Sequence, residues 1–191
     1  MKKLIFMIGL IGVACGPSKL EIDKKDTGPE VPEVPLDPVG VIPADDCQQI
    51  DIGDKACNFS LLDQNGDIWE LYAHEGKVIL LDFSTMWCGP CQSAANQVAA
   101  HVSKYADDDV IWVTVLLQDM TGGSVSLDDV QNWQNTYAIP NESPILQGDN
   151  SIVDSTGQIG YPVMSYPTIV VIDREMVMYQ GLHGWSQEVV E

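Results

Sequence analysis

Apolar residues gather in short runs from about residue 58 onward, and their spacing predicts the elements of one folded unit. Val78-Ile-Leu-Leu-Asp-Phe83 is apolar but for one acid, the pattern of a strand covered on both faces. Val110 to Leu117 reads as a second buried strand. Between them, Gln92 to Tyr105 lacks proline and glycine. Its Ala95, Val98, Ala99, Val102 and Tyr105 fall at helical spacing and predict one amphipathic helix. Leu127 to Tyr137 predicts another, with Ser126 as N-cap and Asp128 and Asp129 well placed in the first turn. Asn58 to Leu62 and Ile68 to Leu71 flank Asp63-Gln-Asn-Gly-Asp67, whose Asn-Gly pair favours a hairpin turn. Thr168 to Ile172 and Met176 to Tyr179 predict two further strands joined by Asp173-Arg-Glu175. Strands alternating with helices imply an α/β domain with a central mixed sheet flanked by helices. The hairpin is an N-terminal extension of that domain.

The chain before residue 46 has no such period. Met1-Lys-Lys3 precedes the apolar run Leu4 to Ala14, and Cys15 follows directly. A basic start, a short apolar stretch and a small residue make residues 1–14 a secretory signal peptide. The stretch is too short to span a bilayer, which takes about 20 apolar residues. A cysteine at this point resembles the bacterial lipoprotein signal, in which it becomes a lipidated N-terminus. Gly12 departs from the aliphatic residue usual in that pattern. An ordinary cleaved signal with a chance cysteine is the alternative. Residues 15–45 carry Pro17, Pro29, Pro32, Pro35, Pro38 and Pro43 among acids and lysines. Val31-Pro-Glu-Val-Pro35 cannot form a helix, so this stretch reads as an extended tether. A tail without a spacing role is the alternative. The folded domain then runs over residues 46–191. The mature chain is expected outside the cytoplasm, where disulfides persist. The lipoprotein reading places it in the bacterial cell envelope, lipid-anchored through Cys15 and facing the periplasm.

Charge narrows the function classes. Nine basic residues stand against 28 acids in 191 residues, a formal net charge of -19. Removing residues 1–14 removes two lysines and no acid, so the balance falls further. Such a chain lacks the cations that nucleic-acid binding needs. Nor does it carry a polybasic membrane patch.

The chemistry lies in the cysteines. Cys88-Gly-Pro-Cys91 stands between the Val78–Phe83 strand and the following helix. A helix start offers unpaired N–H groups and a partial positive charge, which favour a thiolate. A second cysteine three residues on can resolve a mixed disulfide formed by the first. Pro90 fixes the turn and gives up no needed N–H. Half of a zinc site is the alternative. It would need two more ligands, and Cys47, Cys57, His74, His101 and His183 form no second paired motif. No metal and no cofactor beyond a redox-active Cys88–Cys91 disulfide is expected.

The run Val78 to Cys91, with Asp82-Phe83 and Trp87-Cys-Gly-Pro-Cys91, closely resembles the thioredoxin superfamily. Ser165-Tyr-Pro-Thr168 resembles that family's cis-proline segment, and Gly53 to Asp67 resembles the N-terminal hairpin of its TlpA-like, periplasmic branch. The resemblance implies a thioredoxin-like fold and thiol-disulfide exchange with extracytoplasmic protein substrates, in net reduction, fed by an upstream membrane electron donor. It makes Cys88 the nucleophile, Cys91 the resolving thiol and Asp82 a buried acid that exchanges a proton with Cys91. Trp87, Pro90, Tyr166 and Pro167 become the substrate-facing surface, with Pro167 cis. Two features depart from the family. Ser186 to Glu191 is barely one helical turn where a longer helix is usual, and Cys57 stands where the branch commonly has proline.

Other signals are weaker. Cys47 and Cys57 are both extracytoplasmic and can pair as a structural disulfide, or remain two free thiols. Asp63-x-Asn-x-Asp67 has its glycine misplaced for a calcium loop and reads as a turn. Met176 and Met178 read as packing residues and His183 as a surface histidine. A static Cys88–Cys91 bridge in a binding or scaffold lipoprotein is one rival function. A thiol peroxidase, suggested by Thr85-x-x-Cys88, is another.

Overall fold

A computed structural model of the chain describes residues 51–154 and 160–185. All of them fall in the compact unit Asp37–Glu191. The signal, the tether, Cys15, Cys47 and the C-terminal segment 186–191 lie outside the described residues.

A hairpin opens the described chain. Strands β1 (Ser60–Leu62) and β2 (Ile68–Glu70) pair antiparallel, with Leu61 opposite Trp69. The turn between them is built on Asp63, whose Oδ1 accepts from the N–H groups of Asn65 and Asp67. That arrangement is an Asx turn, not a cation loop. The main sheet has five strands: β3 (Val78–Ser84), β4 (Val110–Leu116), β5 (Ile145–Gln147), β6 (Thr168–Ile172) and β7 (Met178–His183). Their order is β5-β4-β3-β6-β7, with β3, β4 and β5 parallel and β6 and β7 antiparallel to their neighbours. The mixed sheet and the hairpin extension match the expected architecture.

Alternation along the strands sorts two cores. Ile79, Leu81 and Phe83 of β3 join Val113 and Val115 of β4, and Leu117 just after it. With Val170, Ile172 and Met178 they pack against Phe59, Leu61, Trp69 and Leu71 of the hairpin region. The alternate positions of each strand face the other way. Trp112, Leu116 and Ile169, with Leu80 at the margin, meet Cys91 and Ala95 of α1 (Gly89–Ala95), Val98 of α2 (Val98–Lys104), and Val130 and Trp133 of α3 (Leu127–Tyr137). Period-two alternation thus gives one sheet face to the hairpin and the other to the helices.

The single helix expected over Gln92–Tyr105 is two. The Gln97 N–H bonds the Ala94 carbonyl, a tight i→i−3 turn, and the Asn96 side chain donates to the Gln92 carbonyl. A polar side chain competing for the backbone, with a 3₁₀-type turn, breaks the regular ladder between Ala95 and Val98. The strand expected over Met176–Tyr179 begins later and runs to His183, because Met176 takes a left-handed turn conformation (φ 62°). Strand β5 was not anticipated. At three residues, between Pro144 and Gly148, it is too short to carry a pattern.

Helix α3 has the predicted limits and cap. The Ser126 hydroxyl accepts from the Asp129 N–H, and the Asp129 carboxylate accepts from the Ser126 N–H, a reciprocal capping box. At its other end Ala138 is left-handed (φ 49°, ψ 41°) and exposed. A Cβ in that conformation costs about 1 kcal/mol, which glycine avoids. Ala138→Gly should therefore stabilise the domain by about 1 kcal/mol, read as a raised urea midpoint at unchanged m-value.

Candidate active site

The site grows from the C-terminal end of β3. This strand lies between β4 and β6, and its last three residues are Asp82, Phe83 and Ser84, all buried. Thr85, Met86 and Trp87 then carry the chain out of the sheet. The Met86 N–H bonds the Gln118 carbonyl, and the Met86 carbonyl accepts from the Gln92 side chain. These bonds aim the chain so that Cys88 caps α1. The Cys88 sulfur accepts from the Cys91 N–H at 3.2 Å, and Pro90 sits in the first turn, where its missing N–H costs nothing.

Cys88 and Cys91 form a disulfide, with their Cα atoms 5.2 Å apart. The two sulfurs are not equivalent. Cys88 retains 5 % exposure beside the exposed Gly89 and Pro90, whereas Cys91 has 0 %. Cys91 packs with Ala95, Val98, Trp112 and Ile169 on the helix-facing side of the sheet.

A second loop meets this one. Tyr166-Pro167 is a cis peptide, as the resemblance implied. Pro167 is buried, and its carbonyl accepts from the Gly184 N–H. Tyr166 is half-buried and lies edge-on to Trp87, ring centroids 6.0 Å apart. Trp87 is 47 % exposed, and its indole N–H donates to Gln118 Oε1 at 2.9 Å. Met120 (59 %) and Met164 (69 %) are exposed on the loops that carry Gln118 and Tyr166.

Asp82 has the same strand parity as Leu80, so it points into the helix-facing layer with Cys91. It is fully buried, and it accepts a 2.7 Å hydrogen bond from the Ser84 hydroxyl. Burial pushes its carboxyl up to about 7, because the charged form loses its water. The Ser84 hydroxyl opposes that rise, and the Trp112 indole adds a weaker pull from outside hydrogen-bond geometry.

The AhpC/TSA family profile matches residues 52–180. The chain belongs to that family. Among curated relatives of this AhpC/TSA protein, the thioredoxin-like protein YneN of Bacillus subtilis is 31 % identical over 132 residues, covering 69 % of this chain and 70 % of YneN. The thiol-disulfide oxidoreductase ResA of the same organism is 29 % identical over 141 residues, covering 74 % of this chain and 72 % of ResA. Among solved structures, the exposed lipoprotein thioredoxin Etrx1 of Streptococcus pneumoniae superposes with a TM-score of 0.53 at 26 % identity, covering 70 % of this chain and 93 % of that one. A thioredoxin-family thiol:disulfide interchange protein of Chlorobium tepidum shares the fold at a TM-score of 0.57 and 19 % identity, covering 72 % of this chain and 90 % of that one. The thioredoxin-like fold expected from the motif is the fold of this AhpC/TSA chain.

Most expected site residues of this family member are in one place. Cys88, Cys91, Trp87, Pro90, Tyr166 and Pro167 gather at the C-terminal end of β3, and Asp82 lies beneath them. Cys57 is far off in the hairpin-side core, buried and disulfide-bonded, while Cys47 lies outside the described residues. Two contributors escaped the sequence reading. Gln118 follows β4, whose parallel register sets Leu116 beside Ser84 and so brings the next loop to Trp87. Ser84 lies two residues after Asp82, and strand periodicity alone would have set it on the same face.

The raised Asp82 carboxyl makes stability depend on pH. The folded group holds its proton to about 7, whereas the unfolded group releases it near 4. Between those values the native state binds more protons than the unfolded one, so stability falls as pH rises through that window. Asp82→Asn, in the oxidised chain, should match wild type near pH 4 and exceed it above pH 7. The gap is at most on the order of 4 kcal/mol. Urea unfolding across pH measures it, and equal stability at pH 8 would remove the buried-charge cost.

Proposed function

We propose that this chain is a membrane-tethered thiol-disulfide oxidoreductase that reduces disulfides in extracytoplasmic protein substrates. Thiol-disulfide oxidoreductase chemistry on a thioredoxin fold is the coarser part of that reading, and it agrees with the family and with relatives such as ResA. The observation that carries it is the unequal pair at the start of α1, one sulfur reachable and one sealed. Net reduction, the tether and the periplasmic address rest on the Cys-Gly-Pro-Cys core and the lipoprotein-like start.

In the reduced chain, the Cys88 thiolate attacks one sulfur of a substrate disulfide. That bond breaks, the first substrate thiolate leaves and takes a proton from solvent, and Cys88 is joined to the substrate. Cys91 then gives its proton to the Asp82 carboxylate and attacks the Cys88 sulfur. The second substrate thiolate leaves, and the Cys88–Cys91 disulfide forms. Two electrons have passed to the substrate, and an upstream donor must return them. Trp87 gives an exposed apolar wall beside Cys88, and the backbone before Pro167 offers an extended peptide a pairing edge. The structural roles of Cys15 as lipid anchor and Cys47–Cys57 as a bridge complete the assignment of the five cysteines.

A peroxidase would need a cation to stabilise the departing oxygen. The chain's one arginine, Arg174, lies in the β6–β7 turn at the opposite end of β3, where it donates to the Asp108 carbonyl. Among the described residues no guanidinium therefore stands beside Thr85 and Cys88.

The purified reduced chain should reduce insulin with dithiothreitol, and Cys88→Ser should lose essentially all of that activity. Cys91→Ser should accumulate mixed disulfides at Cys88, identified by mass spectrometry under non-reducing conditions. The Cys88–Cys91 couple should equilibrate with glutathione at a potential above about −300 mV. A lower potential together with no insulin reduction would make the bridge a static one.

A further inference from the structure

The buried carboxyl has a partner that the reaction scheme leaves unexplained. Ser84 is the last residue of β3, fully buried, and its Oγ lies 2.7 Å from Asp82 Oδ1. Two other buried hydroxyls stand nearby in sequence or register. Thr85 follows directly, and Thr114 is the register neighbour of Asp82 across β4. Neither of their Oγ1 atoms has a hydrogen-bond partner. Of the three hydroxyls around the strand end, it is the one two residues along that engages the acid.

We propose that Ser84 is a positioning residue for proton transfer: its hydroxyl holds one oxygen of Asp82 and sets the pH at which the other can take the proton of Cys91. The proposal rests on the assignment of Asp82 as the acceptor in the resolving step. In that step the Cys91 S–H bond breaks, the proton passes to the Asp82 carboxylate, and the sulfur attacks Cys88. Ser84 keeps its own proton throughout. It donates most strongly while Asp82 is ionised, so it favours the form able to accept. Burial favours the protonated acid, the form that cannot act as a base. The serine hydroxyl opposes that effect, toward the ionised form.

The surroundings leave few other groups to do this. On the helix-facing side, α1, β4 and β6 contribute no lysine, arginine, aspartate or glutamate. Among the described residues the titratable groups in that layer are Cys88, Cys91, Tyr137 and Tyr166, with His101 packed against Trp112. The α2 Lys104 is exposed. Both tyrosines are held above their ordinary range by burial, so they stay neutral while Asp82 titrates.

The test reads the Asp82 carboxyl carbon by NMR in the oxidised, carbon-13-labelled full chain between pH 5 and 9, the resonance being assigned by its loss in Asp82→Asn. The single-turnover reduction of oxidised glutathione by the reduced chain is followed over the same range. Ser84→Ala should move the Asp82 inflection up by about one pH unit, with the same displacement in the rate profile. Ser84→Thr should leave both in place. Ser84→Val, isosteric with the threonine variant, should follow Ser84→Ala, so the Thr/Val pair isolates the hydroxyl if the alanine variant folds poorly. Inflections that coincide in wild type, Ser84→Ala and Ser84→Val would overturn the role of Ser84 and leave that of Asp82 standing. A rate profile unchanged in Asp82→Asn would overturn both.

Discussion

The structure depends on one costly placement, a carboxyl in the middle of the sheet's central strand. Asp82 lies between Leu81 and Phe83, which face the hairpin core, and it shares the helix-facing side with Leu80. Burying a carboxyl without compensation is unfavourable enough that a purely structural domain would place an apolar residue there. Here the layer keeps the acid, and the acid keeps a proton to near neutrality. The same strand delivers Cys88 to the surface and, through α1, returns Cys91 to the acid's own layer. Both cysteines of the disulfide and the buried acid thus hang on ten consecutive residues, Asp82 to Cys91. Their arrangement follows from a strand end, a tight turn and one short helix.

What could be read from the chain alone follows the strength of its periodic signals. The apolar runs at Val78 and Val110 and the capped helix at Leu127 were legible because burial and capping leave unambiguous patterns. The site was legible because Trp87-Cys-Gly-Pro-Cys91 and Tyr166-Pro167 are specific motifs. The break at Asn96–Gln97 was not, since both residues are compatible with a helix and only the competing side-chain bond reveals the interruption. Ser84 and Gln118 were missed for a different reason. Each is ordinary in sequence and acquires its role through register, Ser84 by sharing a face with Asp82 and Gln118 by following the strand parallel to β3.

The hairpin is part of the same construction, although it carries no chemistry. Gln64, at the hairpin's turn, is buried, and its Oε1 accepts from the Ile145 N–H while its own carbonyl accepts from Gln131 of α3. A side chain therefore does for β5 what a sixth strand would do, covering a donor on the sheet's edge. On the other flank, the backbone of Gly53 to Ala56 bonds Met176 and Met178 at the start of β7. The Tyr161 hydroxyl donates to the Cys57 carbonyl and ties the segment before β6 to the hairpin region. These contacts seal the odd face of β3, which lets the even face be given over to the reactive layer.

Charge and surface chemistry divide the work of recognition. With 22 of the 28 acids from Asp45 onward, the domain repels acidic partners at long range, and salt weakens that repulsion beyond about 10 Å. Of the large apolar side chains, Trp87 beside Cys88 and Met120 and Met164 on the adjoining loops are exposed. Net charge acts before contact, and apolar contact acts only at close approach. Methionine suits that second task, because its unbranched chain adapts to differing partner shapes. Trp87 supplies the fixed element, held by Gln118 on one side and Tyr166 on the other. Gln118 and Tyr166 thus fix one apolar wall beside Cys88, while the exposed methionines on the adjoining loops keep their freedom to adapt.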